Sequence, residues 1–201
     1  MNGSELAGLL ARACTRLAEG SDEFRELDAA AGDGDLGITI SQGCAAVRAQ
    51  LVELPPDVSP RDVVGIAAEV LGSSNPSTFA SLVTSGLKAG ARESEAGADW
   101  SVADSVALGR VVAATIARRG KSAVGDKTVL DALVPSIEAA SEHLTDGAAA
   151  LTAAIAAAEA GIASVTDAAP RKGRAAWAAE RGIGVPDAGA TVYLRFLEAL
   201  G

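Results

Sequence analysis

The chain has 201 residues, 49% of them hydrophobic and only 3% aromatic, with a formal net charge of -9. Such a length is most simply a single domain, 1–201, with a substantial core. The acidic balance argues against a nucleic-acid partner, whose affinity rests on Lys and Arg neutralising phosphates. No apolar run is expected to reach membrane-spanning length, so no membrane partner is expected either.

Alanine and leucine dominate, and both are strong helix formers, whereas the β-branched and aromatic residues that favour strands are sparse. The composition predicts an all-α fold. Met1 to Leu10 lacks the basic start and apolar stretch of a signal peptide. Cys14 and Cys44 form neither a metal spacing nor a disulfide pattern, which points to a reducing, cytoplasmic location.

Helical periodicity places the first elements at 4–19, stopped by Gly20, and at 22–30. Three carboxylates follow closely: Asp28, then Asp33 and Asp35, interleaved with Gly32, Gly34 and Gly37. Separations of five and seven residues do not share one helical stripe. Asp28 is therefore expected at a helix end, with Asp33 and Asp35 on a glycine-bent loop folding back toward it. An EF-hand is excluded, because counting twelve from Asp33 reaches Cys44 where a bidentate Glu is required. Two readings remain open from these residues: a hard divalent cation relieving like-charge repulsion, or an acidic turn capping the next helix.

That next helix is predicted at 37–53, followed by 60–72 and 77–92. Leu71-Gly-Ser-Ser-Asn-Pro-Ser-Thr78 separates the last two as a hydroxyl-rich loop and a candidate phosphate contact. A helix at 101–119 opens on a capping-box pattern, Ser101 with Asp104, and is stopped by Gly120. Gly120-Lys-Ser-Ala-Val-Gly-Asp-Lys-Thr128 invites comparison with a P-loop but fails it. Asp126 is inserted between Gly125 and Lys127, and a helix precedes the loop where a strand is needed. A plain helix connection and an anion-binding loop both remain possible there.

Further helices are predicted at 128–143, 147–165, 174–181 and 188–200. The lone histidine, His143, lies in a polar stretch and reads as a surface residue. Arg171-Lys-Gly-Arg174 is the densest basic cluster, either a solvated turn or a phosphate contact. Asp187, after Pro186, is a credible N-cap. Short connections favour antiparallel neighbours, so alternate loops meet at one end of a bundle.

Taken in order, the stretches Leu27 to Gly37, Gly120 to Pro135 and Arg171 to Thr191 resemble the nucleotide-binding L subunit of the dihydroxyacetone kinase family. The resemblance spans nearly the whole chain. It implies a barrel of about eight antiparallel helices with the nucleotide site at one end, and makes 22–30 and 174–181 turns or helix extensions. It further implies Asp28, Asp33 and Asp35 as ligands of two Mg²⁺ ions. Leu36, Gly37, Ile38 and Thr39 would begin the helix that meets the phosphates of ADP or ATP. Ser73, Ser74, Ser77 and Thr78 would contact phosphate, Gly120 and Val129 would border the adenine, and Arg174 with Asp187, Ala188 and Gly189 would complete the nucleotide site.

Three departures from the family stand out. Leu36 occupies a position where the family commonly has histidine. Gly72-Ser-Ser-Asn-Pro-Ser-Thr78 replaces a longer Gly-Gly-Ala-Ser-Gly loop, and Asp187-Ala-Gly189 replaces Asp-Pro-Gly. The implied function is the phosphoryl-transfer subunit of a dihydroxyacetone-type kinase, with no catalytic base of its own. Its implied partners are a ketose-binding K subunit and a phosphocarrier protein, in a homodimer or hetero-oligomer. The alternative is a regulatory module that binds nucleotide without transferring phosphate.

Overall fold

The computed structural model describes residues 1–74 and 77–201. Among those residues there are nine α-helices, one 3-10 helix and no strand, as the alanine-rich composition predicts. In chain order the α-helices are α1 (Gly3–Glu19), α2 (Ser21–Ala31), α3 (Leu36–Leu51), α4 (Pro60–Ser74), α5 (Thr78–Glu93), α6 (Val102–Gly120), α7 (Leu130–Ser141), α8 (Gly147–Val165) and α9 (Ala188–Ala199). The 3-10 helix, Arg174–Gly182, lies between α8 and α9.

Helix ends follow from local hydrogen bonding. Ser101 and Asp104 form the expected capping box at α6, and Asn2 with Glu5 forms another at α1. Asp187 caps α9 by accepting from the Ala190 N–H at 2.8 Å. Gly120 does not end α6 as a left-handed cap; it is the last helical residue, and Lys121 takes the left-handed turn at φ 51°.

Packing runs from helix to helix as α1–α3–α4–α5–α6–α7–α8–α9, and α9 returns to α1. The neighbour order of these eight helices thus closes on itself. α2 stands outside that ring, against α3, α9 and the 3-10 helix. The expectation that 22–30 and 174–181 are turns or extensions is therefore corrected, because both are helices in their own right. An apolar Phe24, fully buried between Leu17, Leu36 and Ile40, is what holds α2 down on the ring.

Small side chains set the close approach of α7 and α8, where Ala132 and Ala158 are both fully buried in one cluster with Ala154 and Ile162. Alanine also makes α8 long and apolar enough to cross a membrane by length and composition alone, at mean hydropathy 1.6. This corrects the expectation that no run reaches that length. In the fold α8 is a ring member whose Ala150, Ala154, Ala158, Ile162 and Val165 are buried.

Candidate functional site

The site begins at the junction of α2 and α3. Asp28 lies in the last turn of α2, while Asp33 and Asp35 occupy the connection to α3. Gly34 takes φ +76°, which lets the loop reverse between the two aspartates. Gly37 permits a close approach, since a Cβ there would collide with the Ser21 carbonyl oxygen and lie 2.9 Å from Arg25 Cβ. With α2 pressed on the start of α3 in this way, one carboxylate oxygen from each of Asp28, Asp33 and Asp35 lies within 4.8 Å of the others.

Each carboxylate has a defined role in the loop. Asp28 Oδ2 accepts from the Leu36 N–H at 3.2 Å, which orients it toward the loop. Asp35 stands at the N-cap position of α3, yet its side chain makes no capping bond. That removes the acidic-turn reading for Asp35. Its carboxylate instead accepts from the Arg174 guanidinium at 2.9 Å, and the same Nη1 pairs with Asp33. Three hard oxygens so close together, two of them half exposed, match the donor set of a hard divalent cation such as Mg²⁺.

Contacts bring further loops to this end. Arg174 and Arg181 tie the 3-10 helix to the α2–α3 region, the latter by donating to the Ala29 carbonyl at 3.0 Å. The Arg171 N–H donates to the Asp126 carbonyl at 3.1 Å, joining the segment after α8 to the loop before α7. Phe79 at the start of α5 packs against Gly189 at the start of α9.

The residues Leu36 to Thr39 divide by orientation. Leu36 and Thr39 are buried, and Leu36 packs with Phe24, Ile40 and Val192. Gly37 faces α2, and Ile38 is exposed. The serine-rich loop is shorter than expected, because α4 continues to Ser74. Ser73 and Ser74 donate to the Val70 and Leu71 carbonyls of their own helix, and Ser77 caps α5. Asn75 and Pro76, part of that expected contact, lie outside the described residues. Thr78 opens α5, Gly120 closes α6, and Val129 is a buried residue at the start of α7. Ala188 and Gly189 form the first turn of α9.

Sequence reasoning did not find the role of Lys127 and Asp131. Lys127, at φ 60° and 3% exposed, donates through Nζ to the carbonyls of Thr166, Ala168 and Gly182. Burial lowers its pKa, opposed by the nearby Asp187 and Asp167. Asp131 accepts from the Gly125 and Thr128 N–H groups at 2.5 and 2.7 Å. Asp187 sits beside this pair, and burial pushes its carboxyl up to about 6, against the pull of the Ala190 N–H. At the loop that fails the P-loop comparison, Lys127 thus holds the backbone of the segment between α8 and α9, and Asp131 of α7 holds the loop's own N–H groups. A shallow cleft of about 210 Å³ lined by Arg16, Gly20, Phe24, Arg195, Glu198 and Ala199 contains none of the expected site residues.

With this geometry established, three comparisons bear on it. A model of the DAK2 domain matches residues 30–201. The ADP-binding subunit DhaL of a PEP-dependent dihydroxyacetone kinase from Listeria innocua is 31% identical over 139 residues, 65% of this chain and 66% of that subunit. Human triokinase/FMN cyclase is 31% identical over 132 residues, 64% of this chain. The matched region spans only 22% of that human protein's length. Among solved structures, the dihydroxyacetone kinase from C. freundii in complex with AMP-PNP and Mg²⁺ superposes with a TM-score of 0.78 at 22% identity. That superposition covers all of this chain and 34% of the other, and it establishes the likeness of fold.

Proposed function

The chain belongs to the DAK2 domain family, and from that premise we propose that it is the ATP/ADP–Mg²⁺-binding, phosphoryl-transfer subunit of a kinase for dihydroxyacetone or a related short-chain ketose. A separate ketose-binding K subunit supplies the acceptor. The observation that carries this reading is the gathering of the Asp28, Asp33 and Asp35 oxygens within 4.8 Å at the start of α3.

Those three aspartates would hold Mg²⁺, with two ions as the family resemblance implies. Bound there, the cations would supply Lewis acidity and offset the charge of the phosphates. The chain's own groups do the positioning. The Leu36 N–H fixes Asp28, and the dipole at the start of α3, over Leu36 to Thr39, favours an anion. Arg174 offers a fork of donors to phosphate oxygens. The start of α5 with Ser77 and Thr78, the loop bounded by Gly120 and Val129, and the turn Asp187 to Gly189 would surround the nucleotide, with Ser73 and Ser74 at the end of α4. On this reading the chain supplies no base for an acceptor hydroxyl. The contribution is therefore alignment and charge stabilisation. The PEP dependence of the Listeria kinase supports a phosphocarrier protein as the donor that recharges bound ADP.

Leu36 favours a second reading, a nucleotide-binding regulatory module without transfer. Its side chain is buried among apolar neighbours and presents no polar group to a phosphate.

Thermal unfolding with Mg²⁺ alone, ADP alone and both together tests the site in wild type and Asp35→Asn. The midpoint should rise with both ligands by more than the sum of the single shifts, because ligand binds the native state only. Asp35→Asn should lose the excess. An equal excess in the variant would remove the metal assignment. A coupled assay with a K subunit, several ketoses and either ATP or a phosphocarrier then separates kinase from module; no phosphorylation of any ketose supports the module.

A further inference from the structure

The 3-10 helix Arg174–Gly182 is anchored at both ends and loosely held between them. Before it, the Arg171 N–H is bonded to Asp126, and at its end the Gly182 carbonyl accepts from Lys127 Nζ at 2.6 Å. Gly182 is the segment's one buried residue, and Trp177 at its middle is 89% exposed. What fastens the span to α2 and the acid loop is a pair of arginines: Arg181 on the Ala29 carbonyl, and Arg174 on Asp33 and Asp35. The backbone also breaks from helical geometry at Ala178, with φ -125° and ψ 44°.

Asp35, whose Oδ2 receives Arg174 at 2.9 Å, and Asp33, which pairs with the same guanidinium, are two of the three carboxylates that offer an oxygen to a divalent cation at this cluster. A hard cation takes carboxylate oxygens at about 2.0–2.1 Å and repels a second positive charge nearby. Guanidinium and metal therefore compete for the same two side chains. We propose that Arg174 is an internal counter-cation of the acid cluster, latching the Arg174–Gly182 strap onto Asp33 and Asp35, and that a divalent cation releases the latch and frees the guanidinium for an anionic ligand. The proposal rests on the metal reading above and adds to it an exchange between two positions of the strap. Asp28 is a ligand of the cluster but not a partner of the latch, since Arg174 pairs only with Asp33 and Asp35.

The exchange makes opposite demands on one residue. Removing Arg174 should strengthen binding of a bare cation while weakening binding of a metal–nucleotide complex. Mn²⁺ alone, a spectroscopic stand-in among oxygen-seeking cations, is titrated into the full chain and the free ion is read by electron paramagnetic resonance. Wild type, Arg174→Ala, Arg174→Gln and Asp35→Asn are compared, each with its helix content checked by circular dichroism. Both Arg174 variants should bind Mn²⁺ about fivefold more tightly than wild type, the effect of removing two partly exposed ion pairs. Trp177 gives the second readout. Trp100, the other tryptophan, is buried, and emission is read in a Trp100→Phe background. Mn²⁺, with Mg²⁺ as the non-quenching control, should then change Trp177 emission with the binding midpoint, and Arg174→Ala should start at the released emission and stay there. Equal or weaker Mn²⁺ binding by the Arg174 variants, with Asp35→Asn deficient, overturns the latch and leaves the metal reading standing. If wild type and the Arg174 variants all fail to bind Mn²⁺, the metal reading fails and the latch falls with it.

Discussion

Two loops of this molecule carry charge and glycine before a helix, and they use them in opposite ways. In the α2–α3 loop, Asp33 and Asp35 are about half exposed and answered by one arginine reaching across from another segment. At the loop between α6 and α7, Lys127 of the loop and Asp131 in the first turn of α7 are almost wholly buried and bonded to backbone carbonyls and N–H groups. The difference separates charge available to a ligand from charge committed to the fold. A buried ammonium with three carbonyl partners cannot leave them without exposing unsatisfied polar groups. A half-exposed carboxylate paired with a guanidinium can exchange that partner at small cost.

Three substitutions probe this contrast. Lys127→Met should have the largest effect on stability. It strands the carbonyls of Thr166, Ala168 and Gly182, so urea unfolding should show a loss of about 3 kcal/mol. A loss under about 1 kcal/mol would mean that Lys127 is not holding the segment before α9.

Gly37→Ala comes next. A methyl group there meets the Ser21 carbonyl and the Arg25 backbone, and should cost about 2 kcal/mol by overpacking. Because the contact sets the position of α2, the excess thermal shift from Mg²⁺ with ADP should fall more than stability alone explains. Unchanged ligand response at reduced stability would show that α2 is not positioning Asp28.

Asp187→Asn should give the smallest effect near pH 4, and one that grows with pH. The folded carboxyl is raised to about 6 by burial, above the ordinary value of about 4. The folded state therefore binds more protons between those values, and stability falls as pH rises from about 4 to about 6. Asn keeps the capping oxygen without the charge. The variant should match wild type near pH 4 and exceed it by about 2 kcal/mol at pH 7, read by denaturant unfolding at both. A constant difference across that range would show that Asp187 titrates as an ordinary carboxylate.

Much of the fold was legible from residue types. The segments 147–165, 60–72 and 101–119 were recognisable because alanine-rich periodicity and capping residues act locally. The place of Asp28 at a helix end, with Asp33 and Asp35 on a bent loop, followed from spacing and from the glycines between them. Periodicity also placed a helix at 22–30, and only the family resemblance made it a turn or extension; what spacing did not supply was where that helix docks. That depends on Phe24 finding a buried position among Leu17, Leu36 and Ile40, residues brought together only by the fold.

The basic cluster at 171–174 shows the same boundary from the other side. The sequence offered it as a solvated turn or a phosphate contact, and the tertiary structure divides it. Arg171 and Lys172 lie 3.8 and 3.9 Å from Asp126, while Arg174 reaches Asp33 and Asp35. Nothing in four adjacent residues specifies that division, since each partner lies more than forty positions away.

By itself, then, the sequence determined an all-α chain with one acid at a helix end and two on a glycine-bent loop, because helix propensity, capping and glycine freedom operate within a few residues. Only the tertiary structure decided which charges face a ligand and which hold the backbone. That choice turns on burial and on partners supplied by distant helices, and neither exists until the ring of helices has formed.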